Sequence, residues 1–337
     1  MDLRDSLLPD NIKDQLIEIG YSGPDGVEKL ISAAQVAGPE MAAYLDISMP
    51  QLSAILNNVA PSAMSVPMSS IQLIQQAVYS LGFAISEATP PSTAPVFPAV
   101  PAPVPANVDM TAQMPPVRSQ GDRGTCVAHA AIAVYEHHLS TAGALQDLSE
   151  QFLYWNCKRY DGIPNVEGTF LSVAFPCLQR DGTCLEPDWP YNPNIIIGNE
   201  GHHPPPSGAQ VKALSFRPAK IRQLSPTFVA DIKAELAIGR CVAFSIPVFN
   251  SWYGSKWVAH TGEITMPIPN EIRAGGHAMC LVGYVELPHN PELGFGRFIL
   301  RNSWGQNWGI TSPYGAGYGT IPFAYLAKVG AEAYSLM

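Results

Sequence analysis

The sequence predicts an α+β domain preceded by a small all-α region, and three observations lead there. A run of seven prolines within residues 90–105, PPSTAPVFPAVPAPVP, divides the chain. Proline fixes φ and removes a backbone donor, so this stretch reads as an extended, semi-rigid connector. Apolar residues before it recur at helical spacing. After it, helical signals come first and strand signals later, which is the pattern of an α+β domain with a helical half and a β half. The boundaries expected from this are residues 1–85 for the helical region, 86–107 for the linker and 108–337 for the main domain.

In the front region, Ile12, Leu16 and Ile19 form one short helix that stops at Gly20. Val27, Leu30, Ile31 and Ala34 form a second, ending near Gly38-Pro39. Met41, Tyr44 and Leu45 suggest a third. Ser48 is placed to cap a fourth carrying Leu52, Ile55, Leu56 and Val59, and Ile71, Ile74, Gln75 and Val78 suggest a fifth. Short amphipathic helices joined by Gly/Pro turns read as a small bundle; no His, Cys or acidic cluster gives it chemistry. Beyond the linker, Thr125 to Leu139 reads as a helix after a Gly-rich loop, with His137 and His138 at its exposed or half-buried end. Phe228 to Ile238 is a second helix. CVAFSIPVF from Cys241, HAMCLVGYVEL and RFILRNSW read as strands.

Composition narrows the function. The 337 residues are 47% hydrophobic and 14% charged, with a net charge of −9. That is ample core material and the opposite of a disordered composition. Without basic runs, neither nucleic acid nor an anionic membrane is an expected partner. No run approaches the ~18 apolar residues of a membrane span. The charged, interrupted N-terminus lacks the form of a secretory signal, so a cytoplasmic location is expected. The six cysteines show no C-x-x-C spacing, so no metal site and no cofactor are expected, and mostly free thiols suit a reducing compartment.

Chemistry concentrates at three separated points. Cys126 opens an apolar helix after SQGDRGT; a thiol is a good nucleophile only as thiolate, which a helix N-terminus or a nearby imidazolium favours. His277 sits in AGGHAMCLVGY, where paired glycines admit close backbone approach and the following strand holds the ring. Asn302, at the end of the next strand in FILRNSWGQNWG, is placed to orient that ring. Each alone has a plain reading: a small core cysteine, a packed strand histidine, a turn asparagine. The ordered set is what points to a nucleophile and its base.

PPVRSQGDRGTCVAHA, GGHAMCLVGY and RNSWGQNWG, in this order, resemble the active-site segments of papain-like cysteine peptidases, with Gln120 six residues before Cys126. LSEQFLYWNC, VEGT at Val166 to Thr169, WPY at Trp189 and GYGTIPFAYL also resemble family segments, as found in bacterial-type members. The resemblance covers about residues 105–337. It implies a two-lobed papain-like domain, a helical lobe against a β-barrel-like one, and a cysteine endopeptidase acting on protein or peptide substrates. It further implies Cys126 as nucleophile, His277 as its partner, Asn302 orienting His277, and Trp304 shielding that contact. Gln120 and the Cys126 N–H would hold the oxyanion. Gly168, Gly276, Ala278 and Trp304 would line the substrate cleft.

Departures from the family pattern carry expectations of their own. Arg123 stands where the family has a cysteine, which leaves Cys157 without that partner. Val127 replaces the usual Trp. His277 and Asn302 follow Cys126 by about 150 and 175 residues, more than the roughly 130–150 of papain, so an insertion is expected at NPNIIIGNEGHHPPPSG. Its His202-His203 pair resembles the one on the occluding loop of cathepsin B-like enzymes; a solvated, proline-stiffened loop is the plainer reading. Residues 1–85 are expected to form an inhibitory lid of a zymogen, packing on the cleft, although the usual prosegment helix pattern is absent. A permanent adaptor is the competing role. An acyl-transfer enzyme capturing the thioester with an amine, or a non-catalytic binding protein on the same fold, remain open at this level.

Overall fold

A computed structural model of the chain describes residues 1–63, 80–83 and 104–337. Helices α1 (Asp10–Glu18), α2 (Gly26–Tyr44) and α3 (Met49–Ala63) make up the front region. The second and third expected helices meet end to end within α2 at a non-helical Ala37 (φ −136°, ψ 38°), close to the expected end at Gly38-Pro39, and Pro39 falls just after it. There its ring occupies a first-turn position, where no intrahelical N–H is needed. Ser48 caps α3 reciprocally: Gln51 N–H donates to Ser48 Oγ while Ser48 N–H donates to Gln51 Oε1, a capping box. The expected fifth helix, and the proline-rich stretch as far as residue 103, lie outside the described residues. Leu16, Leu30, Met41 and Leu52 build a core separate from that of the main domain, which Ile268 joins from the other side.

In the main domain, β1 (Asn107–Asp109) already belongs to the sheet, one residue inside the expected linker. Three helices follow: α4 (Cys126–Thr141), α5 (Glu150–Lys158) and α6 (Leu171–Asp181). α4 is buried from Cys126 through His137; His138 is half-buried, as expected for the end of the helix, whereas His137 is fully enclosed. A helix apolar on every side runs through a core rather than over it. The antiparallel sheet continues with β2 (Ile221–Leu224), β3 (Val242–Phe249), β4 (Arg273–Glu286), β5 (Gly296–Arg301), β6 (Tyr318–Pro322) and β7 (Glu332–Leu336). Its strand order is β2-β7-β3-β4-β5-β6, with β1 against β4. Every residue of β3 and β5 is buried; β3 accordingly reads as a near-continuous apolar run rather than an alternation, and β5 buries Arg297 and Arg301 at its two ends. At Gly283 an added Cβ would lie 2.1 Å from the Val108 carbonyl oxygen; only glycine lets β1 close on β4.

No helix among the described residues is long and apolar enough to cross a membrane. All six cysteines are free and buried, Cys157 among them.

The front region docks on the β lobe through α2. Ser32 Oγ meets Ser255 Oγ at 2.9 Å and accepts from Trp257 N–H. Lys29 Nζ reaches Glu263 Oε1 at 2.7 Å, and Arg297 approaches the same oxygen at 3.6 Å. Burial alone would raise the Glu263 pKa, but Arg297 and Lys29 hold it below the ordinary value. A carboxylate with a depressed folded-state pKa stabilises docking above the ordinary carboxylate value and ceases to do so as pH falls through the depressed one. Hydrogen exchange in Gly26–Tyr44, taken relative to the rate of an unstructured chain at each pH, should therefore quicken on acidification below about pH 4. Lys29→Met should quicken it at neutral pH, at a cost of about 2 kcal/mol; exchange unaltered by that substitution would contradict the role given to the ion pair.

Candidate active site

Cys126 is the first residue of α4, and its side chain is fully buried. As a helix-opening residue its N–H has no intrahelical acceptor. Opposite it, β4 supplies the Ala278 N–H, which donates to Cys126 Sγ at 3.3 Å. His277 precedes Ala278 on this strand, paired with Ile246 of β3. His277 Nε2 lies 2.8 Å from Asn302 Oδ1. That oxygen also accepts Ser303 N–H at 2.8 Å, so the amide is oriented oxygen-inward. A carbonyl oxygen only accepts, so Nε2 carries the ring proton. Nδ1 is then the basic nitrogen, and among the described residues it has no hydrogen-bond partner of its own. The sequence thus separates Cys126, His277 and Asn302 widely, and the fold brings all three together.

Trp304 lies over the imidazole, ring centroids 4.4 Å apart and planes 23° from parallel. It is itself backed by Trp252 and Trp308. The Nε2–Asn302 bond is thereby kept dry.

Gln120 is buried and held at both ends of its side chain. Ser303 Oγ donates to Oε1 at 2.6 Å, and Nε2 donates to the Arg123 carbonyl at 2.8 Å. Its backbone N–H donates to Ser303 O, and its carbonyl accepts from Tyr191 OH at 2.8 Å. The second Nε2 hydrogen is directed at the Ser80 carbonyl, 3.0 Å away.

Ser80, Leu81, Gly82 and Phe83 of the front region occupy the space over these groups. Phe83 N–H donates to Gly276 O at 3.2 Å, and Thr169 N–H donates to Gly82 O at 3.0 Å. Trp304 Nε1 donates to Ser80 O at 3.3 Å. Phe83 meets Phe170 edge to face at 6.1 Å. An added Cβ on Gly82 would stand 1.9 Å from the Gly124 carbonyl oxygen, so the fit requires glycine.

Gly276, Ala278 and Trp304 of the expected cleft lining thus touch the segment, the thiol or the imidazole. Gly168 differs. Its N–H donates to Tyr154 OH and its carbonyl accepts from Lys158 Nζ at 2.7 Å, so both groups turn inward at φ +87°. The edge that faces the segment is Thr169. Sequence reasoning missed Thr169, Ser303 and the segment at 80–83. VEGT and NSW contain the first two, but nothing in a motif says which backbone group faces outward.

Burial drives both reactive groups toward their neutral forms. It pushes the Cys126 thiol up to about 12, against the opposing N–H groups of Ala278, Gly82 and Val127. It lowers His277 to about 4, against the Asn302 hydrogen bond. Under the covering segment the pair is therefore a neutral thiol and a neutral imidazole at pH 7.

The polar contacts of the segment at 192–208, where an insertion is expected, run to the helical lobe. Asn192 O and Glu200 O accept from Arg123, and Gly201 O accepts from Gln151 Nε2. His202 is buried there; burial and the Arg123 charge lower its pKa to about 4.

A two-lobed α+β fold with a thiol at a helix start facing a strand-borne histidine defines the class: a thiol peptidase architecture. The comparisons agree. Residues 104–319 match the family model described as papain family cysteine protease, and the chain belongs to that family. An uncharacterised peptidase C1-like protein of Acanthamoeba polyphaga mimivirus is 30% identical over 222 residues, covering 62% of this chain and 64% of that protein. Cysteine proteinase 1 of Entamoeba histolytica is 29% identical, covering 58% of this chain and 57% of its own length. The chain thus spans less than two thirds of these curated relatives. Xylellain, a cysteine protease from Xylella fastidiosa, shares the fold with TM-score 0.63 at 24% identity, over 78% of this chain and 96% of its own. Digestive procathepsin L 3 of Tenebrio molitor does so with TM-score 0.57 at 16% identity, over 99% and 100%.

Asn302→Ala removes the acceptor of a buried ring N–H. Thermal unfolding should register a loss of about 1–3 kcal/mol, and an unchanged melting temperature would mean that the His277–Asn302 bond contributes nothing.

Proposed function

We propose that the protein is a cysteine endopeptidase, made as a zymogen whose residues 80–83 block its own cleft. The observation that carries the reading is the meeting of Cys126 with β4 beside an imidazole whose basic nitrogen is left free by Asn302. With the cleft open, solvent returns to both groups and the desolvation that keeps them neutral is relieved. The Cys126 proton passes to His277 Nδ1, and the thiolate attacks the scissile carbonyl carbon. The carbonyl oxygen becomes an oxyanion held by Gln120 Nε2 and the Cys126 N–H; such a donor contributes on the order of 3 kcal/mol. The C–N bond breaks as His277 returns the proton to the leaving amine, and a thioester remains. Water, deprotonated by His277, releases the acid and regenerates the thiol.

The covering segment supports the zymogen reading. Its Ser80 carbonyl takes the Gln120 donor while Gly82 directs an N–H at the sulfur. The segment thus engages both the oxyanion donor and the sulfur with its own backbone groups. Six free thiols support work in a reducing compartment, the cytoplasm.

Intact-mass measurement and peptide turnover on three full-length chains test both parts. Wild type should shorten itself between the front region and residue 104, whereas Cys126→Ala should stay full length and inactive. Gly82→Val, whose side chain has no room against Gly124, should turn over peptides at least roughly tenfold faster than unprocessed wild type. A wild type that stays full length, yet already matches Gly82→Val, would end the zymogen reading. An inactive Gly82→Val whose thiol remains open to alkylation would end the peptidase reading.

A further inference from the structure

Arg123 is a cation that is 1% exposed, yet the groups its guanidinium touches are neutral. Nη1 donates to Gln151 Oε1 and to the Asn192 carbonyl, both at 2.8 Å, and Nη2 donates to the Glu200 carbonyl at 2.7 Å. Tyr154 and Tyr191 present their faces to it at 5.2 and 5.3 Å. Burying a charge is costly unless its hydrogen bonds are fully met, and cation–π contacts strengthen when desolvated. The guanidinium therefore ties α5 to the loop at 192–200 and tolerates little displacement.

The backbone of this residue faces the reaction. The Arg123 carbonyl accepts one of the two Nε2 hydrogens of Gln120 at 2.8 Å, and Thr125 N–H at 2.9 Å. With one hydrogen fixed on Arg123 O and Oε1 fixed by Ser303, the other hydrogen has a single direction, the one now filled by the Ser80 carbonyl. The same loop adds Tyr191, whose hydroxyl donates to the Gln120 carbonyl and meets Thr125 Oγ1 at 2.6 Å. Loop, guanidinium and amide form one continuous strut.

We propose that Arg123 is a positioning residue for the oxyanion-binding amide of Gln120, with the 191–201 loop as its anchor. This rests on the peptidase reading of the site. The loop thereby acts at a distance, setting the aim of a donor about 70 residues earlier in the chain.

Iodoacetamide separates positioning from general damage, because alkylation needs the thiolate but forms no oxyanion. Full-length Arg123→Lys keeps the charge but loses the fork. Its turnover of a peptide ester, expressed per alkylatable Cys126 so that the fraction of open clefts cancels, should fall by about 10- to 100-fold in kcat. KM and the alkylation rate should change less than about twofold. In a Gln120→Ala background the same substitution should add less than about twofold, since its target is gone. If Arg123→Lys does not fold, Gln151→Leu, outside the nucleophile loop, carries the test: a roughly threefold fall in kcat with alkylation unaltered. Turnover and alkylation falling in parallel, or a loss undiminished by Gln120→Ala, would overturn the proposal. A wild type that alkylates at Cys126 yet turns over no ester would instead remove the peptidase reading, and the strut's purpose with it.

Discussion

The seating of the first turn of α4 against the middle of β4 is the constraint on which the rest of this structure depends. One hydrogen bond marks it, from the Ala278 N–H to the Cys126 sulfur. The burial behind it gives that bond its rigidity. α4 is enclosed along most of its length, and β4 is flanked by β3 and β5, whose residues are all buried. Close-packed interiors deform little, so a thiol and an imidazole borne by different lobes keep their relation without any covalent link between them. A cavity opened along α4, for example at Ile132, would be felt at Cys126 although no polar group had been touched.

Much of this was readable in the chain because the reactive residues carry local signatures. Cys126 opens an apolar helix, His277 follows paired glycines into a strand, and Asn302 ends the next one. Period and punctuation are enough to find them, and the family resemblance orders them. β3, α4 and Val229–Ala237 were legible for the same reason. β6 and β7 were not, since each is five residues long and acquires its form from neighbours on the sheet. The break expected near Gly38-Pro39 is present as a non-helical Ala37, because a proline is tolerated in the first turn of a new helix but not in the interior of an old one.

What escaped the sequence reading is tertiary. Lys29 meets Glu263 across 234 positions, and Ser80 to Phe83 carry no motif at all. Their placement is decided by which backbone groups stand unsatisfied along the edges of Thr169 and Gly276, and that depends on the finished fold. Gly168 shows the limit most clearly. Its residue type correctly announces an unusual backbone, but not that its polar groups face inward while those of its neighbour face out. Arg123 is similar: its departure from the family pattern was visible at once, its partners in a loop some seventy residues on were not.

Both ends of the proline-rich connector are moored to one strand. Phe83 bonds to Gly276 of β4, and Asn107 pairs with Val285 of the same strand, about 30 Å further along at strand rise. Roughly 23 residues join these moorings, a chain whose full reach is about 80 Å. The excess of contour length over the separation of the moorings has a kinetic meaning. On the zymogen reading proposed above, this contour length lets residues 80–83 leave the cleft without unzipping β1 while remaining covalently joined to it. Their return is then unimolecular, at a local concentration set by the connector and indifferent to dilution. On that reading, a substrate competes against that local concentration until the connector is cut; afterwards residues 80–83 are kept near the cleft only by their own contacts and by the docking of the front region through α2.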